Sequence, residues 1–251
     1  MDYTGKLTIP RRTAEVGGVV TLLLTLAAYL PGGLQAQEGA SKLPDLSSVW
    51  QRSARPVTPA PEELPLNARG IGMRDAIDEA QHPMYDCVPA AIPHILGDPY
   101  NFSIEQQQDR VIIRYEKDEI ARTVWLEGHG HPAALSSDFS VQGFSTGRYE
   151  DGDLVVETTH FTFDPSGIED KPPMVPSSTS KRTVERYSRD GDQLSVEVTV
   201  EDPRFLTESV LFSFQFAPTE TPLEDWIPCD PGQARNALRY MPESELKYGI
   251  R

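Results

Sequence analysis

Missing from this 251-residue chain are close-spaced cysteines, an apolar run of membrane length, an excess of positive charge and the familiar nucleotide and hydrolase signatures. Cys87 and Cys229 are the only cysteines, whereas a zinc framework needs close-spaced ligand pairs. The longest apolar stretch, Val16 to Leu30, covers about 15 residues, short of the ~20 that a spanning helix requires. Acidic residues number 38 against 23 basic ones, for a formal net charge of −15. Such a field repels phosphate backbones and anionic lipid, which argues against nucleic-acid and membrane-surface partners. No Gly-x-Ser-x-Gly elbow, phosphate-cradling loop, dinucleotide fingerprint or Ser-His-Asp arrangement is readable, so no cofactor is expected.

What is present begins with an export signal. Lys6, Arg11 and Arg12 precede the apolar stretch, Pro31-Gly32-Gly33 breaks its helix, and Leu34-Gln35-Ala36 offers a small residue to signal peptidase. Residues 1–36 are read as a signal peptide, with an uncleaved membrane anchor as the alternative. Thr13-Ala14-Glu15 continues the Arg11-Arg12 pair poorly for the twin-arginine route, so general secretion is expected, and no Cys stands near the cleavage point to carry a lipid. Removing the signal leaves −16, because Lys6, Arg11 and Arg12 outnumber Asp2 and Glu15 by one. The expected location is periplasmic or secreted, with no membrane contact after cleavage. In an oxidising compartment an even pair of cysteines reads as one disulfide, Cys87–Cys229, and two free buried thiols are the alternative.

Residues 37–86 form a proline-rich N-terminal segment, in which Asp45 to Trp50 makes a short strand and 72–81 a short helix. Cys87 to Tyr100 holds Pro89, Pro93 and Pro99 and reads as a fixed irregular loop. From there the hydrophobic period is two. Val111, Ile113 and Tyr115 alternate with Ile112, Arg114 and Glu116; Leu154 and Val156 alternate with Val155 and Glu157. Leu194, Val196, Val198 and Val200 alternate with Ser195, Glu197, Thr199 and Glu201, and Val210, Phe212, Phe214 and Phe216 with Leu211, Ser213 and Gln215. Asp151-Gly152 and Asp190-Gly191 carry hairpin-turn chemistry. Adding 101–107, 121–127, 141–149 and 183–189 gives about eight strands within an all-β domain over 87–230. An up-and-down antiparallel barrel is the economical topology, and a β-sandwich explains the same pattern. The stretch 164–182, with four prolines, reads as a long loop or lid, and 231–251 as a C-terminal helical tail outside the sheet.

From Trp50 to Cys229 the chain resembles a large group of exported, largely uncharacterised β proteins of Proteobacteria and Acidobacteria. The resemblance is carried by Leu46-Ser47-Ser48-Val49-Trp50, Cys87-Val88-Pro89, Pro99-Tyr100-Asn101-Phe102, Arg110-Val111, Tyr115-Glu116, Arg122 and His131-Pro132. It continues through Gly147-Arg148-Tyr149-Glu150, Gly152 to Val156, Val184-Glu185-Arg186-Tyr187, Leu194 to Thr199, Asp202-Pro203 and Cys229. It implies a lipocalin-like sheet and no particular activity. Two departures stand out. Phe144 occupies the place of a histidine that relatives carry before Ser145, and 176–182 lacks the histidines that relatives place before the Val-Glu-Arg-Tyr strand.

Three groups of residues bear chemistry. His129-Gly130-His131 has the spacing of a metal pair on a strand, with His160 as the third nitrogen, but no carboxylate follows closely and no metal site is assigned. Glu116 and Arg122 flank a short turn between adjacent strands, with His131 just beyond. A carboxylate, a guanidinium and an imidazole together can bind an acid or move a proton, and Tyr149 joins them as a potential acid. The competing explanation is a solvated cross-strand ion pair. Trp125, Phe139, Phe144, Phe161 and His160 are the candidate lining of an apolar pocket, although packing is the stronger explanation of the aromatic ones. The leading function is an exported barrel binding a small apolar or mixed-polarity molecule. A cofactor-independent isomerase, lyase or hydrolase and an envelope interaction protein without ligand are the alternatives. A lumen filled by side chains would favour the last of these.

Overall fold

The computed structural model describes residues 43–131 and 137–240. The signal segment, Pro132 and the chain beyond residue 240 lie outside the described residues. Nine strands close into a barrel: β1 (Ser48–Arg52), β2 (Phe102–Gln106), β3 (Arg110–Tyr115), β4 (Ala121–Leu126), β5 (Phe144–Glu150), β6 (Asp153–Thr159), β9 (Arg182–Asp190), β10 (Gln193–Glu201) and β11 (Val210–Thr219). Their order around the barrel is β1-β11-β10-β9-β6-β5-β4-β3-β2. A separate hairpin, β7 (Asp164–Glu169) with β8 (Val175–Ser177), leaves the barrel between β6 and β9. Two short helices, α1 (Ala68–Ala76) and α2 (Pro231–Asn236), lie at the periphery. Among the described residues no helix is long and apolar enough to cross a membrane.

The alternation in the sequence becomes the inside and outside of this barrel. Val196 pairs with Phe214 on one side and Tyr187 on the other, and Val198 with Phe212 and Glu185. These side chains all point inward, where the apolar ones are at most 2% exposed. Asp151 and Gly152, both at positive φ (52° and 91°), form the two-residue turn between β5 and β6 that the Asp-Gly pair predicts.

The structure corrects the expectation in four places. Ser48–Arg52 adds a ninth strand, which closes the gap between β2 and β11. The sheet is not wholly up-and-down, because β4 and β5 are parallel neighbours. A parallel pair needs a connection long enough to bring the chain back to the same end, and 127–143 supplies it. The stretch 164–182 is a packed hairpin with Ile168 and Val175 fully buried, and no open lid. The expected helix begins earlier, at Ala68, because the Asn67 carboxamide oxygen accepts from the amides of Arg69 and Gly70. Gly70 is required there: a Cβ would lie 2.3 Å from the Phe205 carbonyl oxygen. Residues 79–81 form a separate single turn beyond the extended Ile77.

Both ends of the barrel are covered. At the end where β2 and β5 finish, the Gln106 carboxamide accepts from the Leu46 amide (2.6 Å) and donates to the Pro44 carbonyl and the Tyr149 hydroxyl (2.7 Å). This fastens 44–47 over the opening, with Leu46 and Trp50 wholly buried. At the opposite end Ile92, Ile95 and Leu96 pack into the core, and the edge of the His94 ring meets Phe212 at 6.0 Å. The predicted disulfide Cys87–Cys229 is formed, with Cα atoms 5.7 Å apart, and ties the chain just before this second plug to the C-terminal tail.

Candidate functional site

The four residues expected to act together are separated. Arg122 is 3% exposed and turns into the barrel, where its Nη2 donates to Glu185 Oε1 at 2.7 Å. Glu116 stays at the turn after β3, and its carboxylate accepts from the Glu224 amide. His131 is exposed, with its ring edge-on to Phe144 at 4.9 Å. Tyr149 stands at the opposite end of the barrel, bonded to Gln106. The reason is strand parity. Glu116 lies past the end of β3, so no side-chain partner opposite Arg122 comes from it, and Arg122 pairs instead with Ile113 in the sheet.

Inside the barrel Arg122 belongs to a buried polar network. Glu185 also accepts from the hydroxyls of Tyr187 (2.7 Å) and Thr158 (3.4 Å), Thr158 bonds Ser145 (2.9 Å), and Arg122 Nη1 donates to Tyr115 (3.5 Å). Burial disfavours the Arg122 charge, but the Glu185 carboxylate more than offsets this and holds the guanidinium above its ordinary value. Burial, with the Glu185 charge adding to it, pushes Tyr187 well up, and burial pushes Tyr115 up to about 12. Arg122 Nε and Thr183 Oγ1 have no hydrogen-bond partner. The network joins β4 to β9, which are not neighbours, so it holds the barrel across its width.

The expected aromatic lining does not form one pocket. Trp125 lies on the outer face beneath the Arg110 guanidinium (4.8 Å), and Phe161 is buried under the Lys181 ammonium (4.3 Å). Phe139 and Phe144 do meet His160, at 5.1 and 6.4 Å, but on the outside of the barrel. Among the described residues no three His, Cys, Asp or Glu side chains are grouped to hold a metal.

A cavity of about 330 Å³ lies beside Trp125, His131 and Thr146, and two larger ones lie at the two ends. One, of about 560 Å³, is an open groove over the strand ends, lined by Leu43, Gln106, Leu126, His129, Arg148 and Tyr149 among others. The other, of about 520 Å³, is more enclosed and lies at the disulfide-bearing end. Its walls come from four distant stretches: His82 to His94 with Asp98, the β3–β4 turn (Lys117, Asp118), β7 and its exit (Asp164, Ser166, Asp170), and the tail (Trp226, Ile227, Cys229, Ala234). Apolar groups at this cleft remain in water: Met84 is 56% and Ile227 84% exposed. Trp226 is held by an edge contact to Tyr100 at 4.8 Å and by its amide donating to the Glu119 carboxylate.

The polar groups of this second cleft are electrostatically tuned. Burial keeps the imidazoles of His82 and His94 below their ordinary value, although Asp170 pulls the other way. His94 Nδ1 lies 3.6 Å from Asp170 Oδ1. Burial raises Asp98 despite its 2.9 Å bond to Lys117. Outside the cleft wall, burial and then the charge of Asp170 raise Glu169 against the hydrogen bond that it accepts from the Lys171 amide. Close by, Lys181 Nζ donates to the carbonyls of Ile92 (3.0 Å) and Gly167 (3.2 Å) and pins the plug to the hairpin. Burial brings its pKa down to about 8.

Sequence reasoning passed over His82, His94, Asp170, Lys181 and Glu185. For Glu185 a signal existed, because it shares strand parity with Tyr187 and so had to face inward. For the others none did, since their meeting depends on the path of irregular chain.

No family model and no curated protein matches the chain. A crystal structure of a secretary abundant heat soluble (SAHS) protein from Ramazzottius varieornatus is similar at 12% identity and a TM-score of 0.35, covering 71% of this chain and 98% of that one.

Proposed function

We propose that this is an exported β-barrel protein that binds a small, largely apolar molecule in the cleft at the disulfide-bearing end, outside the lumen. One observation carries the reading. Inward apolar side chains of the strands pack as one buried core under both covered ends, while this cleft keeps exposed apolar groups beside converging polar ones. Export is supported by the signal-like segment 1–36 and by the Cys87–Cys229 bond. Membership of the exported β-protein group is supported by the motif residues Arg122, Glu185 and Tyr187, which share the buried network.

The test is native mass spectrometry of the protein isolated from the exported fraction of its own cells. A retained small-molecule mass that disappears in Trp226→Ala and persists in Tyr149→Phe is the expected result. A retained mass indifferent to Trp226 would place the site elsewhere.

A second reading has its own observation, the facing of His94 and Asp170. A neutral imidazole beside a carboxylate in a cleft can accept a proton from a bound molecule. Chemical turnover of the retained compound by wild type and its loss in His94→Gln would establish it.

A further inference from the structure

We propose that the molecule held in this cleft is a cationic amphiphile, an ammonium carried on an apolar body. The inference rests on the cleft being the binding site and adds the charge class of the ligand.

The cleft is lined by Asp98, Asp118, Asp164 and Asp170, and among the described residues Lys117 is the one lysine or arginine in its wall. Lys117 is already committed to Asp98. The two imidazoles offset the remaining carboxylates little, because burial disfavours their charged forms. Lys181 lies outside the cavity wall, with its ammonium donating to two backbone carbonyls; its charge acts on Asp164 without a hydrogen bond and leaves Asp118 and Asp170 unmatched. A half-enclosed cavity with unmatched negative charge binds a cation more strongly than open surface does, since the low-dielectric walls focus the field.

The apolar half supplies the rest of the recognition. Trp226, Ile227, Met84 and Val88 line the same cavity. An indole face attracts an ammonium, and the aliphatic groups remove the body of the ligand from water. Neither half suffices: a metal ion would leave the apolar wall exposed, and a neutral lipid would leave the carboxylates unmatched. The acidic balance of the whole chain, −15, steers cations toward it.

Isothermal titration of the full oxidised protein at low ionic strength, with n-octylammonium, n-octanol and n-octanoate as matched probes, tests this. Octylammonium should bind at least tenfold more tightly than octanol, and octanoate more weakly still. Asp170→Asn should reduce the ammonium preference several-fold, while Trp226→Ala should weaken both probes alike. Octanol or octanoate binding as tightly as octylammonium, with Trp226 still required, would overturn the cationic ligand and leave the cleft standing. Binding by none of the three would overturn both.

Discussion

Arg122 on β4 and Glu185 on β9 meet at 2.7 Å in the middle of the barrel, although their strands are separated by β5 and β6. A pair so placed is worth little as a net attraction, because both ions have lost their water. Breaking it leaves one charge stranded. Arg122→Met alone should therefore cost about 3–5 kcal/mol in urea unfolding, and Arg122→Met with Glu185→Leu markedly less. The outer pairs Arg182–Glu157 and Arg186–Glu150 are more than a third exposed, so Arg182→Ala or Arg186→Ala should each cost about 1 kcal/mol or less. Equal losses from inner and outer arginines would contradict the burial argument.

Lys181 makes stability depend on alkaline pH in a particular direction. Its folded pKa, about 8, lies below the ordinary 10.5, so the penalty for burying the ammonium is fully present below pH 8. Between 8 and 10.5 the unfolded chain binds more protons, and stability rises with pH by an amount on the order of 3 kcal/mol. Tyr115 and Tyr187 act oppositely. Their folded pKa values are raised, so the stability they contribute is complete below pH 10 and is lost above it. Urea midpoints from pH 7 to 10 should climb in wild type and stay flatter in Lys181→Met, and parallel profiles would refute the assignment.

The disulfide closes a separation of 142 residues. On the chain-entropy account, removing so long a cross-link costs roughly 5 kcal/mol. Cys229→Ser should lower stability by up to that amount. It should also expose the tail from Trp226 onward to protease before the barrel is cut, because Leu238 is the one buried apolar residue described there. Simultaneous cleavage of tail and barrel would show that the tail is held by other contacts.

Phe214 tests the assignment of the inner face. It is 2% exposed, lies opposite Val196 and is approached by Gly97, whose Cβ would come within 3.7 Å of the ring. Phe214→Ala should cost about 3–5 kcal/mol, measured by the same unfolding. The exposed neighbour Leu211→Ala should cost well under 1 kcal/mol, as expected for a surface position.

What the sequence determined on its own was whatever depends on neighbours along the chain. Val196 and Val198 against Glu197 and Thr199 state which face is buried, since side chains alternate strictly on a strand. Asp151-Gly152 states a turn because both residues accept positive φ. Cys87 and Cys229 had only each other to pair with. Tertiary structure decided everything that depends on closure. Arg122 finds a carboxylate 63 positions away instead of Glu116, six positions back, because β4 and β9 face each other only after the barrel shuts. Ser48–Arg52 became the closing strand because β2 and β11 each offered it an unpaired edge. The cleft draws on stretches from His82 to Ala234, and irregular chain carries no period from which its path could be read.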